Sequence, residues 1–177
     1  MTESLLPTVE ILTGPVPTHA VIWMHGLGAD GHDFEPVVDE FDADRLPPTR
    51  FIFPHAPKRA VTINAGYVMR AWFDIYSRDY GNRAEDVEGT EASAAQVEAL
   101  IARENARGIP DERIVLAGFS QGGAIALHAG LRHPHRLAGV MALSTFLPLA
   151  ERLAGEARDG VQDRFLGVMD QLIGRVP

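Results

Sequence analysis

The chain has no cysteine, which excludes both a disulfide framework and a thiol nucleophile. Lysine is almost missing as well: Lys58 stands alone against fifteen arginines. No apolar run approaches the ~20 residues of a membrane span. Met1-Thr2-Glu3-Ser4 lacks the basic start of a secretory signal, so a cytoplasmic protein is expected. There is no basic cluster, and a formal charge of −8 argues against a nucleic-acid partner. Internal repeats and low-complexity linkers are absent too. What remains is 177 residues, 46% of them apolar, which is enough for one domain with a sizeable core.

Strand and helix patterns alternate along that domain. Strands are expected near residues 8–12, 19–25, 49–53, 67–74, 112–119 and 137–144, with helices near 33–42, 90–107, 121–133 and 149–157. This order predicts an α/β fold, a mostly parallel sheet with helices on both faces. The acidic run Glu85-Asp86-Val87-Glu88 places favourable charge around a helix start.

The richest stretch is Gly118-Phe119-Ser120-Gln121-Gly122. Arg113-Ile114-Val115-Leu116-Ala117 before it reads as a buried strand, and Gly123-Ala124-Ile125-Ala126-Leu127-His128-Ala129 after it as a helix stopping before Pro134. Strand, Gly-x-Ser-x-Gly and helix together make a nucleophile elbow. The turn at the serine is so tight that only glycine fits two residues to either side. The serine oxygen is thereby held at a helix N-terminus, where the dipole favours developing negative charge.

A second glycine-rich turn, His25-Gly26-Leu27-Gly28-Ala29-Asp30-Gly31, follows the strand Ala20-Val21-Ile22-Trp23-Met24. Such a turn leaves backbone N–H groups unpaired, as an oxyanion hole requires. Leu27 N–H and Gln121 N–H are the expected donors. A phosphate-binding reading fits poorly, because the spacing is not Gly-x-Gly-x-x-Gly and no Gly-Lys-Ser/Thr follows.

Five motifs now stand in order: His25-Gly26-Leu27-Gly28, Phe53-Pro54-His55-Ala56-Pro57, Val61-Thr62-Ile63-Asn64, Ala71-Trp72-Phe73-Asp74 and Ala117-Gly118-Phe119-Ser120-Gln121-Gly122-Gly123. From about Val21 to Pro148 the chain resembles the carboxylesterase, phospholipase and acyl-protein thioesterase branch of the α/β-hydrolases. The resemblance implies a small, lidless, cytoplasmic esterase acting on a small-molecule ester without cofactor or metal. Ser120 would be the nucleophile, with an Asp and a His further along the chain completing the triad. It also places Trp72 and Phe73 near the acyl pocket, although core packing explains both equally well. Substrate (short ester, lysophospholipid or thioester) is left open, and so is a homo-oligomer.

The triad partners are where the chain departs from the family. The order expected is Ser, then Asp or Glu, then His. After Leu137-Ala138-Gly139-Val140-Met141-Ala142-Leu143-Ser144 and Phe146-Leu147-Pro148, two further strand units of roughly thirty residues each should follow. The triad Asp and His are therefore expected to be absent, in an incomplete hydrolase domain over 1–160 lacking its last two strand units. Residues 161–177 are expected to be a non-family tail, with Val161, Phe165, Leu166, Val168, Met169, Leu172 and Ile173 at helical spacing.

The tail also reads as out of frame. Joining the last base of each codon to the first two of the next forces glycine from Met169-Asp170. The same shift allows histidine from Val168-Met169, aspartate from Leu172-Ile173 and proline from Asp163-Arg164. The hidden frame can thus read Pro…His-Gly-x-x-Asp, which resembles the family segment around its catalytic Asp.

No other histidine is well placed to serve as base. His128, His133 and His135 belong to the helix behind Ser120 or follow it, and His19 opens a strand at its far end. His25 and His55 match family positions that orient loops. His32 is the one spare with a plausible location, beside Asp30 and Asp33. Without the last units, the strand near residue 140 would be a bare apolar edge unless the tail covers it. Two classes of function follow: an esterase working through Ser120 and an acyl-enzyme, expected here to turn over little, or a non-catalytic hydrolase remnant that binds ligands or a partner.

Overall fold

The computed structural model describes residues 5–42, 45–77 and 84–157. In chain order these form β1 (Thr8–Leu12), β2 (His19–Met24), a 3₁₀ turn (Glu35–Glu40), β3 (Thr49–Pro54), β4 (Lys58–Val61), β5 (Tyr67–Arg70), α1 (Val87–Ala106), β6 (Ile114–Phe119), α2 (Gln121–Arg132), β7 (Gly139–Leu143) and the short α3 (Leu153–Glu156). Five strands pair in the order β1-β3-β2-β6-β7. β1 runs antiparallel to β3, and the other pairs are parallel. The expected mostly parallel α/β sheet is present.

Period-two alternation divides the strands between two cores. Ala20, Ile22 and Met24 of β2, with Ile114 and Leu116 of β6, pack under Val97, Leu100 and Ile101 of α1 and Ala124, Ile125 and Ala129 of α2. Trp23, Phe51, Phe53 and Ala117 point to the other face, where Val38 of the 3₁₀ turn covers them. Both long helices therefore lie on one face, and a 3₁₀ turn does the covering on the other. The helix expected over 33–42 is that turn: Pro36 sits in its first turn and no side chain caps it.

Two further expectations are corrected. The strand predicted over 67–74 ends at Arg70 and pairs only with β4, in a separate two-stranded sheet. Ala71, Trp72 and Phe73 instead turn inward and are buried. The helix near 149–157 is a 3₁₀ turn at Ala150–Arg152 leading into the one-turn α3. α1 begins at Val87 because Asp86 caps it, accepting from Gly89 N–H at 3.0 Å. The acidic run thus supplies the cap itself. Beyond β7 no strand pairs among the described residues, and the tail expectations for 161–177 lie outside them.

Candidate active site

Ser120 stands between β6 and α2 with φ 52° and ψ −119°. This left-handed backbone is costly for a residue with a Cβ, on the order of 1–3 kcal/mol, and persists only where the surroundings enforce it. Here Ser120 N–H donates to Leu143 O at 2.9 Å. Its carbonyl accepts from Ala124 N–H at 3.0 Å and from the Thr145 hydroxyl at 2.6 Å. Thr145 carries no signal in the sequence, because the contact exists only once β7 lies beside β6.

The two flanking glycines are required by close approach. A Cβ on Gly118 would lie 2.4 Å from the Gly122 carbonyl carbon, and one on Gly122 only 2.3 Å from Met24 O. The elbow is therefore pressed against the end of β2, which delivers the second loop. A Cβ on Gly26 would meet the Phe119 ring at 3.3 Å and Ser120 Cβ at 3.7 Å, so the His25–Gly28 turn lies directly against the serine.

Leu27 N–H and Gln121 N–H, the expected oxyanion donors, have no internal acceptor among the described residues. Gly28 N–H is spent on Arg70 O at 2.9 Å and Ala29 N–H on Gly26 O at 3.3 Å, whereas Leu27 N–H has no internal acceptor among the described residues. Gln121 N–H opens α2, where the first amides of a helix have no partner within it. The Gln121 side chain is a second, unforeseen part of the site. It is buried, accepts from Trp72 N–H at 2.8 Å and donates to Phe73 O at 2.7 Å.

Trp72 is fully enclosed in the core, and its indole N–H donates to His25 O at 2.9 Å. Phe73, packed edge-on against Phe146 at 6.2 Å, borders a narrow cleft with Asp74, Glu85, Asp86 and Thr90. Asp74 fixes the start of that cleft. Burial pushes its carboxyl up, but hydrogen bonds from Thr62 and from Ile75 N–H outweigh this and hold it below the usual range.

Five of the seven histidines have partners away from Ser120. Buried His25 accepts at Nε2 from Ala56 N–H at 3.0 Å, and its Nδ1 lies 2.7 Å from Gly26 O. Burial lowers its pKa below the ordinary value. His55 Nδ1 accepts from Gly31 N–H at 3.0 Å, and burial together with Arg70 lowers that pKa as well. His32, the spare base, is exposed and pairs with Glu35. His19 meets Thr18 at the far end of the sheet, and His133 sits between Glu98 and Asp111. Among the described residues the Gly26 turn lies against Ser120 at the head of α2, and no histidine is hydrogen-bonded to Ser120 Oγ.

Known proteins carry the same framework. Residues 9–167 match the phospholipase/carboxylesterase family, a longer stretch than the motifs alone delimit. The acyl-protein thioesterase 1 of Schizosaccharomyces pombe is 45% identical over 135 residues, which cover 76% of this chain and 59% of that protein. That of Yarrowia lipolytica is 37% identical over 172 residues, covering 94% of this chain and 76% of that protein. Among solved structures, Arabidopsis thaliana SOBER1 superposes with a TM-score of 0.76 at 32% identity, covering 81% of this chain and 69% of that one. Zea mays acyl-protein thioesterase 2 gives 0.75 at 29% identity, covering 89% and 71%. The match thus spans about three-fifths of the fission-yeast relative's length. On the elbow, the glycine turn and the sheet that joins them, with these matches, the chain belongs to the phospholipase/carboxylesterase family of α/β-hydrolases.

Proposed function

We propose that this chain carries the nucleophile and oxyanion half of a serine hydrolase of acyl esters or thioesters. Ser120 Oγ attacks the acyl carbonyl, and the tetrahedral oxyanion is held by Leu27 N–H and Gln121 N–H. Collapse expels the alcohol or thiol, which takes up the proton given up by the Ser120 hydroxyl by way of water, and leaves an acyl-Ser120 intermediate that water then hydrolyses. The single observation that carries this reading is the contact of the Gly26 turn with a strained Ser120 at the head of α2. The thioester option is supported by the thioesterase relatives. Of the two aromatic candidates, enclosed Trp72 is assigned to the framework, and Phe73, at the edge of a narrow cleft, is left as the candidate for acyl contact.

The described residues supply no histidine bonded to Ser120 for proton transfer. Removing the base from such a triad typically costs about 10⁴- to 10⁶-fold, while binding and the oxyanion hole retain about 10³ over water. That no described histidine is hydrogen-bonded to Ser120 supports the second reading, a non-catalytic module that binds acyl groups. Hydrolysis of a short-chain nitrophenyl ester and of an acyl thioester, with Ser120→Ala alongside, decides between them. Slow release equal in both proteins is expected from the non-catalytic module. A burst or steady rate lost in Ser120→Ala establishes the hydrolase.

A further inference from the structure

Three loops meet at His25. From the β3–β4 connection, Ala56 N–H donates to its Nε2. An acceptor at Nε2 obliges the neutral ring to carry its proton on Nδ1, and Nδ1–H then donates to Gly26 O. From the segment after β5, the Trp72 indole N–H donates to His25 O.

The consequence lies in a single peptide plane. Gly26 C=O and Leu27 N–H belong to the same peptide unit, and in a trans peptide they point in opposite directions. Gripping the carbonyl therefore aims the amide. With the proton on Nε2 instead, the Nδ1 lone pair would face the Gly26 oxygen and Nε2–H would face Ala56 N–H. Both contacts would become repulsive, and the plane would rotate.

We propose that His25, in its neutral Nδ1–H tautomer, is the positioning residue of the oxyanion hole, setting the direction of Leu27 N–H through the Gly26–Leu27 peptide. The Trp72 indole and the Gln121 carboxamide complete a brace between the two donors. Gln121 holds Trp72 N–H and Phe73 O with its side chain while its own backbone N–H is the other donor. Ser93 on α1 secures the same segment through Trp72 O. The inference deepens the hydrolase reading and rests on it. It also gives the Phe53-Pro54-His55-Ala56-Pro57 motif a task, since the Ala56 amide selects the tautomer.

The charged and titratable groups facing His25 are Asp30 from its own loop, His55 after β3 and Arg70 at the end of β5. Burial is the largest influence and favours the neutral ring. The arrangement should hold through neutral pH and fail only on acidification, when a proton on Nε2 opposes Ala56 N–H.

The test is solution NMR of the whole chain, and it needs no turnover. Long-range ¹H–¹⁵N spectra of the wild type at pH 7.5 are expected to show His25 as the Nδ1–H tautomer. The Leu27 amide peak should move in His25→Ala and return toward its place in His25→Asn, whose Nδ2–H can still reach Gly26 O. Core amides such as Ile22 and Leu116 should stay fixed. On titration the Leu27 peak should follow His25 and no other histidine.

An Nε2–H or charged His25 at neutral pH, or an unmoved Leu27 in folded His25→Ala, overturns the proposal. Should His25→Ala not fold, Trp72→Phe removes one N–H and keeps the aromatic bulk. Leu27 and Gln121 peaks are expected to shift together there, and their staying put is equally fatal. Failure of the hydrolase reading shows separately, as the absence of Ser120-dependent hydrolysis. Where hydrolysis is present, His25→Ala should lower kcat by about 10²-fold with KM little changed, and His25→Asn should recover most of it.

Discussion

β6 and β7 are adjacent parallel strands of similar apolar composition that end beside the same serine, yet they differ sharply in what surrounds them. Ile114, Leu116, Ala117 and Gly118 of β6 are buried, whereas every residue of β7 is half-buried or exposed. β6 lies between β2 and β7 with helices above it, while β7 is the last strand of the sheet among the described residues. Steric demand follows the same gradient. Position 122, just beyond β6, tolerates no Cβ because β2 backbone lies against it, and position 139 opening β7 has nothing within 4 Å. The site therefore stands on a rigid side, built from β2, β6 and α2, and touches a loosely held one through Leu143 O and Thr145.

Paired substitutions at matched positions test that contrast. The largest effect is expected from Gly122→Ala, where backbone cannot retreat from the new methyl. A loss above about 3 kcal/mol is expected, which lowers the urea midpoint sharply. Gly139→Ala should be neutral or stabilise by about 0.5 kcal/mol. Urea midpoints of the two variants compare them, and equal losses would refute the gradient. Next come Leu116→Ala, expected to cost about 3 kcal/mol from a fully enclosed site, and Leu143→Ala, expected to cost less than about 1 kcal/mol because that side chain is 38% exposed. Thermal melts measure both.

The third comparison uses pH. His128 on α2 is buried, and that burial, with Arg132 nearby, depresses its pKa from 6.5 to about 4. The unfolded chain takes up that proton near pH 6.5, while the folded one resists until about 4. Below 6.5 the unfolded state binds more protons, so the stabilising contribution is complete above 6.5 and lost as pH falls to about 4. The loss amounts to roughly 2–3 kcal/mol. Unfolding free energies at pH 7 and 4.5 should differ less in His128→Leu than in the wild type. An unchanged difference would remove His128 from the account.

Much of the site could be read from residue order. Gly118, Ser120 and Gly122 are bound to one another by short-range geometry, so the elbow is fixed by five consecutive residues and its flanks. The glycine turn carrying Leu27 was legible for the same reason, as a Gly-rich turn after a strand. Trp72 was ambiguous because an aromatic near a site can line a pocket or pack beneath it. Only the indole hydrogen bond to His25 O and full enclosure assign it to the framework. The strand expected over 67–74 misled because an apolar run turning inward to a core looks locally like an apolar run continuing a sheet. Nothing near Gln121 announced that its side chain would hold residues 72 and 73, nearly fifty positions away. The same holds for Thr145 and the Ser120 carbonyl.

Residue order alone set the local geometry at Ser120 and of the glycine turn, along with the alternation that makes an α/β sheet. These depend on steric limits and periodicities acting within a few residues. Tertiary structure alone decided that Gly26 rests on Ser120, that the Ala56 amide selects the His25 tautomer, and that the two long α-helices share one face. Those contacts join segments tens of residues apart. Their hydrogen bonds form only after burial has excluded water and brought the backbones together.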